Sequence, residues 1–333
     1  MIDGMTICVG TIGSGVHVSR DGGGRFKQIF KPVPFEGNVR SLRVDPNDPA
    51  TIWAGTDEGL FRTVDGGSRW APVASLANGR KVWSLAIDPS DSQRIYVGCQ
   101  PGGFRSTDGG ETWVEMPIPV RPECLVGPPR TTNVVVDPRD PATIWAGAEI
   151  DGVFRSSDHG ENWARCNDLG PSEFNGDVHS VAVRPNDSGN GATVLVGGPF
   201  GLTRSTDEGE TWELTQFPGF HERNEAAYCR MVMVKADDPK TIFVGTGDTI
   251  PGETGGLRIS RDGGETWKLA DLPETPNSVV YWMANHPARP EVVACASLFG
   301  QLFWSTDSGH TWEKCNRGFG EIRALALAPA LAA

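Results

Sequence analysis

No stretch of this 333-residue chain approaches the run of about 18 apolar residues that a membrane-spanning helix needs, so insertion by helices is not expected. Basic residues are in deficit. Thirty Lys and Arg stand against 42 Asp and Glu, a net charge of −12, which argues against nucleic acid or an anionic membrane as partner. The seven cysteines are odd in number, scattered, and lack both Cys-x-x-Cys and zinc-ligand spacing, so neither a disulfide framework nor a structural zinc is expected. Residues 1–7 lack the basic segment and long apolar run of a secretion signal, and the expectation is a reduced, cytoplasmic protein. No linker or low-complexity stretch interrupts the chain, which reads as one domain over residues 1–333.

What the chain has in abundance is one phrase, written seven times: Ser or Thr, then Asp two residues on, a Gly two after that, and an aromatic residue five after the Asp. Its aspartates are Asp21, Asp65, Asp108, Asp158, Asp207, Asp262 and Asp307, spaced 44, 43, 50, 49, 55 and 45 residues apart. That period matches one four-stranded propeller blade. A second phrase accompanies it, clearest from Val39 to Gly55. There, alternating apolar residues run into Asp45-Pro46, and Thr51 to Gly55 reads as the next strand. With a strand before the Asp phrase and one after it, each unit supplies four strands, A to D from the centre outward. The ends complete the count: Ile322 to Pro329 reads as an A strand lacking a B strand, and Thr6 to Gly10 as a B strand lacking an A strand. The expected fold is therefore all-β, a seven-bladed propeller of four-stranded antiparallel blades closed by a strand from each terminus.

The phrase resembles the Asp-box (BNR) repeat of sialidases, xyloglucanases, sortilin and photosystem II assembly factors, within the wider WD40/YVTN-like class of propellers, and the likeness covers nearly the whole chain. It implies that the seven aspartates are structural, bonding backbone N–H groups within the C–D turn. The activity does not transfer with the fold. Sialidases are six-bladed and carry an Arg-Ile-Pro phrase where this chain has Arg40-Ser-Leu-Arg43. Xyloglucanases pair two seven-bladed domains around a cleft, sortilin-type receptors have ten blades and many disulfides, and the photosystem II factors match in blade number.

Connectivity places the A–B turns and Asp boxes on one face and the variable B–C and D–A loops on the other, where binding and catalysis concentrate. Counting back five residues from the Asp of each Asp-Pro phrase, or its equivalent, gives Arg40, Trp83, Thr132, His179, Arg230, Tyr281 and Arg323. These seven are expected to ring the channel mouth. Arg40, Arg230 and Arg323 suggest a grip on a carboxylate, phosphate or sulfate, with Trp83 and Thr132 lining the same mouth. His179 has the ordinary pKa range for proton transfer near neutrality. Glu149, Asp57, Glu58, Asp177, Glu222, Glu225 and Asp248 are candidate acids, and Tyr281 and Tyr228 candidate donors. By resemblance to sialidases, the three arginines would hold a substrate carboxylate, either tyrosine would be the nucleophile and Asp57 the proton donor. No cofactor is expected. His17, His159, His286 and His310 fall away from the mouth, which leaves His179 and His221 with nearby carboxylates as the single mixed set suited to a metal. Two functions follow: a hydrolase or lyase, glycosidase-like chemistry included, acting on a small anionic, carboxylate-bearing substrate, or a non-catalytic propeller that binds a peptide or protein.

Overall fold

The computed structural model describes the chain apart from residues 31, 32, 34, 35, 76, 187–190, 222–224, 332 and 333. Among the described residues, seven four-stranded antiparallel sheets account for every named strand, and the single helical element is a short 3₁₀ turn, Glu173–Gly176. Blades one to six take their A strands from Val39–Val44, Ser84–Asp88, Thr131–Val136, Ser180–Pro185, Tyr228–Lys235 and Val280–His286. In blade seven the A strand Ile322–Pro329 pairs antiparallel with Met5–Thr11, from Met5↔Pro329 to Thr11↔Ile322, and the strands Val16–Ser19 and Lys27–Gln28 follow outward. The expected closure by both termini is thus the observed one. It pairs the B strand Met5–Thr11 on both of its edges.

Each Asp box works as a compact hydrogen-bonded turn. In blade two, Ser106 Oγ donates to Asp108 Oδ1 at 2.8 Å and accepts from the Gly110 amide at 2.8 Å; Asp108 Oδ1 accepts from the Thr112 amide at 2.8 Å and Oδ2 from the Thr112 hydroxyl at 2.6 Å. These bonds hold the Asp108 carboxyl down at about 2, the Thr112 hydroxyl first among them. Gly110 has φ +91°, and a Cβ there would lie 2.6 Å from Trp53 Cη2 of the preceding blade, so close packing between blades requires glycine. The Trp113 indole closes the turn with a bond to the Gly110 carbonyl at 3.0 Å and is buried.

The core lies between blades rather than within one. Trp53 and Leu60 of blade one pack with Leu85, Val97 and Phe104 of blade two, and Trp145 and Val153 of blade three with Val181 and Val194 of blade four. Neighbouring A strands are also stitched by side chains: Ser84 Oγ donates to the Thr131 carbonyl at 3.0 Å, and Ser180 Oγ accepts from the Val232 amide at 2.9 Å. All seven cysteines are free, and burial pushes the Cys8 and Cys99 thiols up to about 12. Among the described residues, no helix is long and apolar enough to cross a membrane.

Candidate functional site

The residues expected to ring the channel are set there by a repeated backbone irregularity. The pairing of A with B strands skips one residue between Val39 and Ser41, between Thr131 and Asn133, between Cys229 and Met231, between Val280 and Trp282, and opposite Gly10 and Thr11, where Ala324 and Ile322 pair. The skipped residues are Arg40, Thr132, Arg230, Tyr281 and Arg323. A bulge frees a side chain from the pleat and re-aims it. Trp83 and His179 stand just before the A strands of their blades, their amides bonded to the Gly98 and Gly197 carbonyls at 2.8 and 2.9 Å.

From these positions the side chains interlock. Arg40 grips Asp57 through both Nε and Nη2 and stacks over Trp83 at 4.1 Å; Asn38 also donates to Asp57, at 2.7 Å. Arg130 lies over the same indole at 4.8 Å and pairs with Glu149 at 2.9 Å. The Thr132 hydroxyl donates to the Val178 carbonyl at 2.6 Å, and the His179 ring packs on Tyr228 at 4.8 Å. Arg230 donates to the His179 carbonyl at 3.2 Å and to the Tyr281 hydroxyl, which also accepts from Arg323 Nη1 at 2.6 Å; Arg323 in turn pairs with Glu321.

Arg230 and Arg323 therefore converge on Tyr281, while Arg40 is held apart by Asp57. Each of Arg40, Arg130 and Arg323 has a carboxylate against it, and among the described residues Arg230 has none in contact. The mouth is close to charge-balanced, a consequence of acids on the B–C loops and chain neighbours that the count along the A strands does not capture. Arg130 and Glu321 were missed by that count. Both lie two residues before a ring position, a register signal available once the ring is assigned.

Burial tunes the titrating groups. It raises the Asp177 carboxyl to about 6, the charge of Glu149 adding to the shift and Arg230 opposing it. Glu149 is also raised, by burial first, with Arg130 and Arg230 pulling the other way. His179 departs from the ordinary pKa range expected of it. Buried to 8 % exposure beside the Arg230 charge, it is held well below the ordinary histidine range and stays neutral near pH 7. Burial pushes the Tyr228 phenol far up, so it remains protonated. Burial works in the same direction on Tyr281, yet the charges and hydrogen bonds of Arg230 and Arg323 outweigh it and hold this phenol below its ordinary value.

Seven buried polar atoms of the mouth have no hydrogen-bond partner among the described residues: Trp83 Nε1, Arg130 Nε, Glu149 Oε2, Asp177 Oδ1, His179 Nε2, Tyr228 OH and Arg230 Nε. Buried polar groups are ordinarily satisfied by protein, ordered water or ligand, so this concentration gives the mouth a set of donors and acceptors open to a guest's polar atoms. The other candidates lie outside this group. Glu58 and Glu225 are exposed, Asp248 faces His221 Nε2 at 3.4 Å, and Glu222 lies outside the described residues. His179 Nε2 stands 3.5 Å from Asp177 Oδ2, but among the described residues no group of three or more His, Cys, Asp or Glu is arranged to hold a metal ion.

The BNR/Asp-box repeat profile matches residues 104–115 and 258–269, and the chain carries these repeats. A probable oligoxyloglucan-reducing end-specific xyloglucanase of Neosartorya fischeri is 28% identical over 318 residues, covering 82% of this chain and 32% of that protein. The chain spans between about a quarter and a third of the length of the curated relatives it matches. Among solved structures, the GH74 xyloglucanase from Xanthomonas campestris superposes with a TM-score of 0.66 at 15% identity, covering 99% of this chain and 53% of that one. A structure described as YCF48 bound to D1 peptide gives a TM-score of 0.54 at 18% identity, covering 84% of this chain and 82% of the other.

Proposed function

We propose that the chain is a glycosidase-like hydrolase that works at the channel mouth of its variable face. The observation that carries the reading is the pair of partly buried carboxylates Asp177 and Glu149, each with a buried oxygen free of any partner among the described residues and each raised above its ordinary pKa. Glycoside hydrolysis needs one carboxyl that holds a proton for the leaving oxygen and another that is ionised. Asp177, raised by burial and further by the Glu149 charge, is the proton donor. Glu149, on which Arg130 opposes the upward pull of burial, activates the attacking water. Arg230 Nε and the Tyr228 hydroxyl bind substrate oxygens, and Tyr281 is the fixed seat of Arg230 and Arg323. Because the mouth's arginines and carboxylates nearly balance, the substrate class is a sugar bearing at most one carboxylate, received by Arg230. The distant sequence likeness to xyloglucanases supports the reaction class.

One observation favours the second reading, a peptide-binding propeller. The mouth residues bury one another, with Tyr281 only 2 % exposed, so the cluster can form the floor of a contact surface rather than a deep pocket. The similar propeller solved with a peptide points the same way. Hydrolysis of aryl glycosides and xyloglucan oligosaccharides by the purified chain separates the two. Turnover that falls by about 10²–10⁴ in both Asp177→Asn and Glu149→Gln supports the hydrolase. No release from any glycoside, together with saturable peptide binding, replaces it with the platform.

A further inference from the structure

The opposite end of the channel, on the face of the Asp-Pro turns, opens into a cavity of about 350 Å³ whose walls come from the A strands of several blades. Its chemistry is unlike that of the mouth. At the position three residues after each ring residue, six A strands carry Ala86, Val135, Ala182, Met233, Ala284 and Ala326, and the seventh carries Arg43. All of these except Ala182 line the cavity, among the described residues no Asp or Glu does, and Met231, Met283 and Leu325 add further apolar wall.

Arg43 stands partly buried in this wall, and that burial lowers its pKa without any acid among the described residues to oppose it. Among the described residues it makes one hydrogen bond, from Nε to the Leu85 carbonyl at 3.0 Å, and no ion pair. Its two amino groups are left without a partner there. A guanidinium in apolar surroundings is ordinarily matched by a carboxylate. The other polar groups of the lining are already committed or uncharged. Asn285 donates to the Pro290 and Val292 carbonyls and accepts from the Ala236 amide, and His286 Nδ1 accepts from the Ala288 amide at 3.1 Å.

We infer that this cavity is a binding site for a small amphipathic carboxylate, its acid head on the amino groups of Arg43 and its apolar body against the methionine and alanine walls. The volume lies at the lower end of the range for ligand pockets, which suits a medium-chain or single-ring monocarboxylate. The site is separate from the proposed hydrolase centre and stands or falls independently of it.

Calorimetric titration with octanoate and with 1-octanol tests it, because the two share the apolar body and differ in the charge Arg43 would recognise. Octanoate should bind saturably and at least tenfold more tightly than octanol, and Arg43→Met should bring octanoate down to the octanol level while Arg43→Lys keeps part of the preference. Ala284→Leu, which fills the wall, should weaken both ligands; Ala326→Leu serves the same purpose if that variant fails to fold. Equal affinity for octanoate and octanol, undiminished octanoate binding by Arg43→Met, or no saturable binding of either ligand would overturn the inference.

Discussion

Replacing Asp177 with Asn should make the protein more stable and less active, with the stability gain confined to one range of pH. The folded state binds the Asp177 proton more tightly than the unfolded chain does, the carboxyl being raised from 3.8 to about 6. Below pH 3.8 the group is protonated in both states and contributes no difference. As pH rises toward 6 the unfolded chain gives up its proton first, so stability falls, and above about 6 the full cost of an ionised, buried carboxylate is present. A shift of about two units corresponds to about 3 kcal/mol. Unfolding entropy of about 2.1 cal/mol/K per residue gives about 0.7 kcal/mol/K for this chain, so Asp177→Asn should melt about 4 °C higher than wild type at pH 7.5 and at about the same temperature near pH 4. Asn keeps an oxygen for the Ile150 amide that Asp177 accepts. Melting curves of both proteins from pH 4 to 8 read the effect. A difference that does not grow with pH, or a variant less stable at pH 7.5, would refute the reasoning.

The Asp boxes should matter for folding alone: Asp307→Ala, which removes bonds from the Thr311 amide and hydroxyl and from Ser305, should cost about 1–3 kcal/mol and leave glycoside hydrolysis unchanged, as melting and activity assays will show. Deleting residues 321–333 removes the A strand of blade seven and bares Met5–Thr11, so the truncated chain should aggregate or melt far below wild type by light scattering and circular dichroism. The mouth arginines should part company: Arg40→Met strands the partly buried Asp57 and should lower stability by about 1–2 kcal/mol, whereas Arg230→Met removes a buried guanidinium with no contacting carboxylate among the described residues and should leave the melting temperature unchanged or higher while weakening substrate binding.

The fold was legible because the Asp box is a local device. Its hydroxyl, carboxylate, glycine and indole bond to one another within eight residues, so sequence order and spatial order coincide, and the period gives the blade count directly. The ring was legible for a related reason, since a fixed offset along seven equivalent strands is a spatial relation. The state of the ring was not. That Arg40 is occupied by Asp57, that His179 is neutral, and that Asp177 shares a corner with Glu149 depend on loop contacts within and between blades and on burial, neither of which spacing encodes. The skipped residues at the five bulges carry no signature either, because Arg40, Thr132 and Tyr281 occupy equivalent bulges with unlike side chains.

A crystal of Asp177→Asn soaked with an oligosaccharide tests the central claim most directly, because the variant should bind substrate without turning it over. Electron density for a sugar at the variable-face mouth, within hydrogen-bond distance of Glu149 Oε2 and Arg230 Nε, is the predicted result. A sugar bound elsewhere on the chain, with that mouth unchanged, would contradict it.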